Sequence, residues 1–148
     1  MSDLTELYQE MILDHNRSPR NFRQPEAFNR EALGHNPLCG DRIKLYLQVE
    51  DDRIVDVGFQ GSGCAISQAS ASIMTETLKG MTLERFERLF GSFHSLVTGQ
   101  IAEGSQEDLG KLVVFSGVSQ YPVRVKCATL PWHTLKAALS RTGQVKTE

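Results

Sequence analysis

The chain has 148 residues, 40% hydrophobic and 23% charged, an ordinary balance for one soluble globular domain and one that argues against wholesale disorder. Its 16 basic and 18 acidic residues give a net charge of −2 and include no cationic run of the kind that tracks phosphates, so nucleic-acid binding is not expected. No apolar stretch is long enough to span a membrane, and Met1-Ser2-Asp3-Leu4-Thr5-Glu6 lacks the basic-then-apolar order of a signal peptide, so the expected location is the cytoplasm.

Leu4, Leu7, Tyr8, Met11 and Ile12 recur on one helical face and predict an N-terminal helix to about His15. Residues 17–37, punctuated by Pro19, Pro25, Asn21 and Gly34 and preceded by Asn16, read as loop with one short strand near 31–33. Ile43, Leu45, Leu47 and Val49 alternate with Lys44, Tyr46, Gln48 and Glu50, the mark of a half-buried strand. Asp51-Asp52 supplies a turn, and Val55, Val57 and Phe59 alternate again up to Gly61-Ser62-Gly63, so an antiparallel hairpin is expected.

After Cys64 a Ser- and Ala-rich helix should run to Leu78 and stop at Lys79-Gly80, its small residues suited to close packing. Thr82 can cap a helix carrying Leu83, Phe86, Leu89 and Phe90, followed by a separate helical segment over 93–97. Residues 99–110 read as an exposed loop, and 112–125 fit helix and extended structure equally. A last helix is expected with Thr129 as cap, Pro131 in its first turn, and Trp132, Leu135, Ala138 and Leu139 as its buried stripe. Residues 1–141 form the expected single domain and 142–148 a frayed tail.

Three cysteines cannot all pair within one chain, and a reducing compartment would keep them as thiols. Each stands near an element boundary: Cys39 before the first alternating strand, Cys64 at a helix entrance, Cys127 before the last helix. A helix N-terminus favours the thiolate, and Gly61-Ser62-Gly63 lets backbone approach Cys64 closely. Asp41 follows Cys39 across Gly40, so both side chains can turn toward one centre. A hairpin that folds Gly61 beside Asp41 brings Cys64 within reach, leaving Cys127 to close the shell. Three sulfurs and one oxygen suit tetrahedral zinc, whereas Mg or Ca would want oxygen. Spacing leaves a second reading open, because the chain has no Cys-x-x-Cys pair and free cysteine is a common small core residue. His15, His35, His94 and His133 show no ligand spacing and read as surface or satisfied core.

Asn36-Pro37-Leu38-Cys39-Gly40-Asp41, Gly61-Ser62-Gly63-Cys64-Ala65-Ile66-Ser67 and Arg124-Val125-Lys126-Cys127-Ala128-Thr129-Leu130, with Asp14-His15 and residues 16–21, together resemble the U-type iron–sulfur cluster assembly proteins, the IscU and NifU N-terminal-like family. The resemblance covers nearly the whole chain. In the scaffold branch the third cysteine follows a ligand histidine. Here that position is Lys126, and the segment between Cys64 and Cys127 is long, as in the SufU branch.

The resemblance implies an α+β fold, a small antiparallel sheet of about three strands packed against several helices. It implies zinc held by Cys39, Asp41, Cys64 and Cys127, and a zinc-dependent sulfurtransferase that takes persulfide sulfur from a pyridoxal-phosphate cysteine desulfurase of the SufS type. Cys39 corresponds to the acceptor, freed when a histidine of the desulfurase replaces it on the metal, and the sulfur passes on toward downstream iron–sulfur assembly machinery. The alternative is a non-enzymatic scaffold on which a [2Fe–2S] cluster is built at the same residues; a third reading is a structural zinc domain. Three thiolates and a carboxylate around a divalent ion sum to −2; Arg124 and Lys126 read equally as an offset to that charge and as solvated surface.

Overall fold

The computed structural model describes residues 3–100, 109–140 and 144–146. Helix α1 (Asp3–Arg17) leads through a loop to strands β1 (Arg30–Asn36), β2 (Asp41–Glu50) and β3 (Arg53–Ser62). Helices α2 (Ala65–Leu78) and α3 (Leu83–Val97), a 3₁₀ segment (Gly110–Gln120), helix α4 (Pro122–Leu139) and a short strand β4 (Gln144–Lys146) follow. The sheet order is β3-β2-β1-β4, antiparallel through the first three strands, with β4 parallel to β1. This is the expected antiparallel sheet on helices, enlarged by one edge strand.

The hairpin follows its hydrophobic alternation. Ile43, Leu45 and Leu47 are buried on one face of β2, and Leu45 and Leu47 pair with Phe59 and Val57 of β3. Asp51 and Asp52 both have positive φ, 52° and 60°, the backbone of the two-residue turn that matches strand twist. Tyr46, on the opposite face, is nonetheless 3% exposed, because Phe28 of the α1–β1 loop packs edge-on against it at 5.0 Å. The same loop lies over edge strand β3, where the Asn21 carbonyl accepts the Phe59 N–H at 3.0 Å.

Helix α4 packs on β1 and β2 and against α2, while α1 packs on α2. The small, fully buried Ser70 lies between α2 and α4 and joins them by donating to the Ala128 carbonyl (2.6 Å) and accepting from Trp132 Nε1 (3.2 Å). Trp132 is wholly buried and stacks with Phe93 (4.6 Å), Phe90 (5.7 Å) and Phe86 (6.1 Å).

Four sequence expectations change. β1 is a seven-residue strand, not a three-residue one, because its partner β2 offers a complete ladder from Arg30↔Leu47 to Asn36↔Asp41. Residues 83–97 form one helix, since Gly91 sits on its exposed side and breaks nothing. Three residues of the expected tail, Gln144–Lys146, pair with Leu33, Gly34 and His35, which satisfies the otherwise open edge of β1. The last helix begins at Pro122, a residue suited to the first helical position, so Cys127 lies inside it. Thr129 does not cap: its hydroxyl donates back to the Val125 carbonyl at 2.9 Å. Of the expected loop 99–110, residues 101–108 lie outside the described residues, while Leu109 is 2% exposed.

Candidate metal centre

The register of the sheet explains the site. Asn36 and Asp41 are the last pair of β1–β2, so residues 37–40 form a tight turn with Cys39 on it. Gly40 takes φ +72°, a left-handed conformation that glycine adopts without strain. Arg42 pairs with Ser62, so the exit of β3 lies beside Asp41 and carries Cys64 to it within two residues. Cys127 arrives from the second turn of α4, which lies across this end of the sheet.

The side chains meet closely. Sγ of Cys127 is 3.0 Å from Sγ of Cys39, and one ligand atom each from Cys39, Asp41 and Cys127 falls within 4.8 Å of the others. Cys64 joins from the Asp41 side, its thiol donating to Oδ2 at 3.8 Å and its backbone N–H to Oδ1 at 2.8 Å. A Cβ on Gly63 would stand 2.5 Å from that Oδ1, so glycine is what allows the carboxylate in. Of the four residues nominated from the sequence, Cys39, Asp41 and Cys127 form one close group and Cys64 stands beside it, in contact with Asp41; Cys127 and Asp41 are buried, Cys39 and Cys64 partly exposed.

Cys64 caps α2, accepting the Ser67 N–H on sulfur at 3.5 Å. A hydrogen bond from Cys127 and the N–H groups of Ser67 and Ile66 bring its thiol down to about 7, against burial and the nearby Asp41 charge. Cys127 moves the other way. Its hydrogen bond to Cys64, burial, and its further bonds to Cys39 and Asp41 all hold the proton on sulfur.

Asp41 has no exposed surface, and among the described residues no Lys, Arg or His lies within ion-pair distance of it. A buried carboxylate beside three thiols calls for a cation. Two thiolates bound tetrahedrally at about 2.3 Å from one zinc stand roughly 4 Å apart, so Cys39 and Cys127, 3.0 Å apart, would move apart slightly to admit the ion. The donor set fits one zinc ion.

Two features escape a reading of spacing. Asn36 is fully buried, accepts the Leu38 N–H on Oδ1 (3.1 Å) and donates from Nδ2 to Cys127 Sγ (3.5 Å), tying the Cys39 turn to α4. The only sequence sign was its place beside Pro37 in the first motif. An apolar groove of about 760 Å³ also opens on Cys39, Cys64 and Cys127, bordered by Ile12 and Leu13 of α1 and by Tyr121 and Val123. Leu13, Tyr121 and Val123 are exposed at 43–50%, and α1 gave no signal that its outward face borders the site. Arg124 lies over the Tyr121 ring at 4.6 Å, on the rim of the same groove.

The family model of the NifU-like N-terminal domain matches residues 7–141. Relatives include the zinc-dependent sulfurtransferase SufU of Bacillus subtilis strain 168, 37% identical over 142 residues, covering 95% of this chain and 94% of that one. The iron–sulfur cluster assembly scaffold protein IscU of Streptococcus pyogenes serotype M1 is 36% identical over 146 residues, covering 99% and 91%. Among solved structures, a candidate iron–sulfur cluster assembly scaffold protein for the SUF system from Fervidobacterium islandicum AW-1 superimposes with a TM-score of 0.82 at 36% identity, covering 90% of this chain and 97% of that one. The chain thus belongs to the NifU-like N-terminal domain family, together with IscU- and SufU-type proteins of iron–sulfur cluster assembly.

Proposed function

We propose that the protein is a SufU-type, zinc-dependent sulfurtransferase that accepts persulfide sulfur from a cysteine desulfurase, with Cys39 as acceptor and Cys39, Asp41, Cys64 and Cys127 as the zinc ligands. The observation that carries this reading is the meeting of three thiols with a buried, otherwise uncompensated Asp41 at one end of the sheet. The B. subtilis relative bears the name of such an enzyme. Lys126, standing where the resemblance places a ligand histidine in the scaffold branch, supports the same side.

Bound zinc would keep the thiols deprotonated and shielded from stray oxidation. Cys39 is the suitable acceptor because it sits on a four-residue turn, where movement disturbs no helix or ladder. Its thiolate attacks the terminal sulfur of the partner's persulfide. The partner's S–S bond breaks, the partner cysteine leaves as thiolate, and the persulfide now stands on Cys39. Asp41 stays fixed through its bond from the Cys64 N–H, and the apolar groove receives the segment that bears the donor cysteine while excluding water. A reducing cytoplasm keeps all three cysteines free.

A second reading, a scaffold for a [2Fe–2S] cluster at the same residues, draws support from the IscU relatives of S. pyogenes and Thermotoga maritima, the latter 41% identical over 141 residues. Purification without added metal, followed by metal analysis and desulfurase turnover with and without the protein, separates them. Zinc with strong stimulation of turnover supports the first; a brown chain that passes an intact cluster to an acceptor supports the second. Full stimulation by Cys39→Ser would remove Cys39 as acceptor.

A further inference from the structure

We propose that Asn36 is a positioning residue of this site: its side-chain amide keeps Cys127 on the metal and fixes the root of the neighbouring turn, so that Cys39 is the ligand sulfur free to leave. The inference rests on the reading of a zinc site whose acceptor is Cys39. It adds the residue that decides which of the three sulfurs is released.

Asn36 ends β1 opposite the ligand Asp41, and it has no exposed surface. Burying a primary amide costs free energy that only completed hydrogen bonds offset, so its partners matter. Nδ2 donates to Cys127 Sγ at 3.5 Å, and Oδ1 accepts the Leu38 N–H at 3.1 Å. One side chain thus grips both the sulfur carried by α4 and the first half of the turn. Movement of the turn is thereby concentrated at Cys39 and Gly40, the latter a glycine already at φ +72°.

The three sulfurs differ in the same sense. Cys64 Sγ accepts the Ser67 N–H at 3.5 Å and Cys127 Sγ accepts from the Asn36 amide, whereas among the described residues no N–H donates to Cys39 Sγ. An N–H donor draws electron density from a metal-bound thiolate, which slows its attack on electrophiles, and it orients the ligand. Both bonds suit ligated thiolates, because the sulfur in each only accepts. Cys39 keeps its full electron density, and it stands on a turn rather than in a helix. Without Asn36, Cys127 would lose its donor and the turn its anchor, and the distinction between Cys127 and Cys39 would narrow.

The test compares the full-length wild type with Asn36→Leu, which retains the branched shape and removes both bonds. In cobalt-substituted protein the sulfur-to-cobalt charge-transfer band should move to longer wavelength in Asn36→Leu, because a sulfur without its N–H donor gives up an electron more easily. Leu38→Ala, a change on the same turn that leaves the amide in place, should not move it. In zinc-loaded protein treated with limiting iodoacetamide and mapped by mass spectrometry, Asn36→Leu should raise the ratio of Cys127 to Cys39 labelling about tenfold, the scale of a lost ligand support. An unchanged band or an unchanged ratio overturns the proposal. If Asn36→Leu does not fold, cadmium-113 NMR of the wild type decides: a cross-peak from the metal to the Asn36 side-chain amide supports the bond to the ligand sulfur, and its absence overturns it. No desulfurase enters these readouts. Failure of the wild type to take sulfur from a desulfurase would therefore strike the acceptor reading and leave the band and the cross-peak to decide the role of Asn36.

Discussion

The backbone N–H of Cys64 donates to Asp41 Oδ1 at 2.8 Å, so the residue that caps α2 is itself anchored by the carboxylate that opens β2. Fold and site share this bond. Asp41→Ala strips the acceptor from a partly buried N–H and should cost about 1–3 kcal/mol in urea denaturation. Asp41→Asn retains an acceptor without the charge, so it should recover most of that stability but not the zinc affinity measured by competition with a chelator.

Gly63→Ala should separate site from fold. The added Cβ meets Asp41 Oδ1 at 2.5 Å, with backbone strands and core elsewhere untouched. Zinc affinity is expected to fall by about tenfold or more, on the scale of a disturbed ligand support, with far-ultraviolet circular dichroism unchanged. Wild-type affinity in this variant would mean that Asp41 does not depend on its present position.

In metal-free, reduced protein the cysteines should react unequally. Cys64, drawn down to about 7 chiefly by its hydrogen bond from Cys127, should show an alkylation rate that rises through neutral pH. Cys127, buried and held protonated, should be the slowest of the three. Peptide mapping after timed alkylation checks the order.

His15 makes stability depend on pH. It is 2% exposed, with Nδ1 2.7 Å from the Ser72 hydroxyl and Nε2 3.9 Å from Glu76. Burial and the Arg20 and Lys111 cations lower its pKa below 6.5, against Glu76 and Asp14. Below pH 6.5 the unfolded chain therefore takes up the proton first, and stability is lost as pH falls toward the native pKa; above 6.5 this contribution is complete. His133, also lowered chiefly by burial, adds in the same sense. The urea midpoint should drop between pH 7 and pH 5, and His15→Gln should flatten part of that slope.

Much of this arrangement was legible in the chain itself. The alternation of Ile43, Leu45 and Leu47 and the Asp51-Asp52 turn specify the hairpin locally, and the hairpin places Asp41 beside Cys64. The start of α4 was not legible, because Thr129 and Pro131 imitate a helix entrance. The true entrance at Pro122 survives Pro131 only because packing on the sheet and α2 outweighs one lost bond: Pro131 has no N–H for the Cys127 carbonyl. Asn36 and the groove beside α1 were hidden for a related reason. Their roles exist only after α4 and α1 have docked, and no local pattern encodes that.

Trp132 measures how far that docking carries the fold. It is fully buried against Phe86, Phe90 and Phe93, and Trp132→Ala should cost about 3–5 kcal/mol in chemical denaturation. A loss below about 1 kcal/mol would show that α3 and α4 repack freely around the gap.

The most direct test of sulfur acceptance is the mass of the Cys39 peptide after the zinc-loaded chain has turned over with a pyridoxal-phosphate cysteine desulfurase and free cysteine, quenched by alkylation. The account predicts a peptide heavier by one sulfur atom on Cys39, absent when cysteine is withheld. A chain that stimulates the desulfurase yet carries the added sulfur on Cys64 or Cys127, with Cys39 unmodified from the first time point onward, would contradict it.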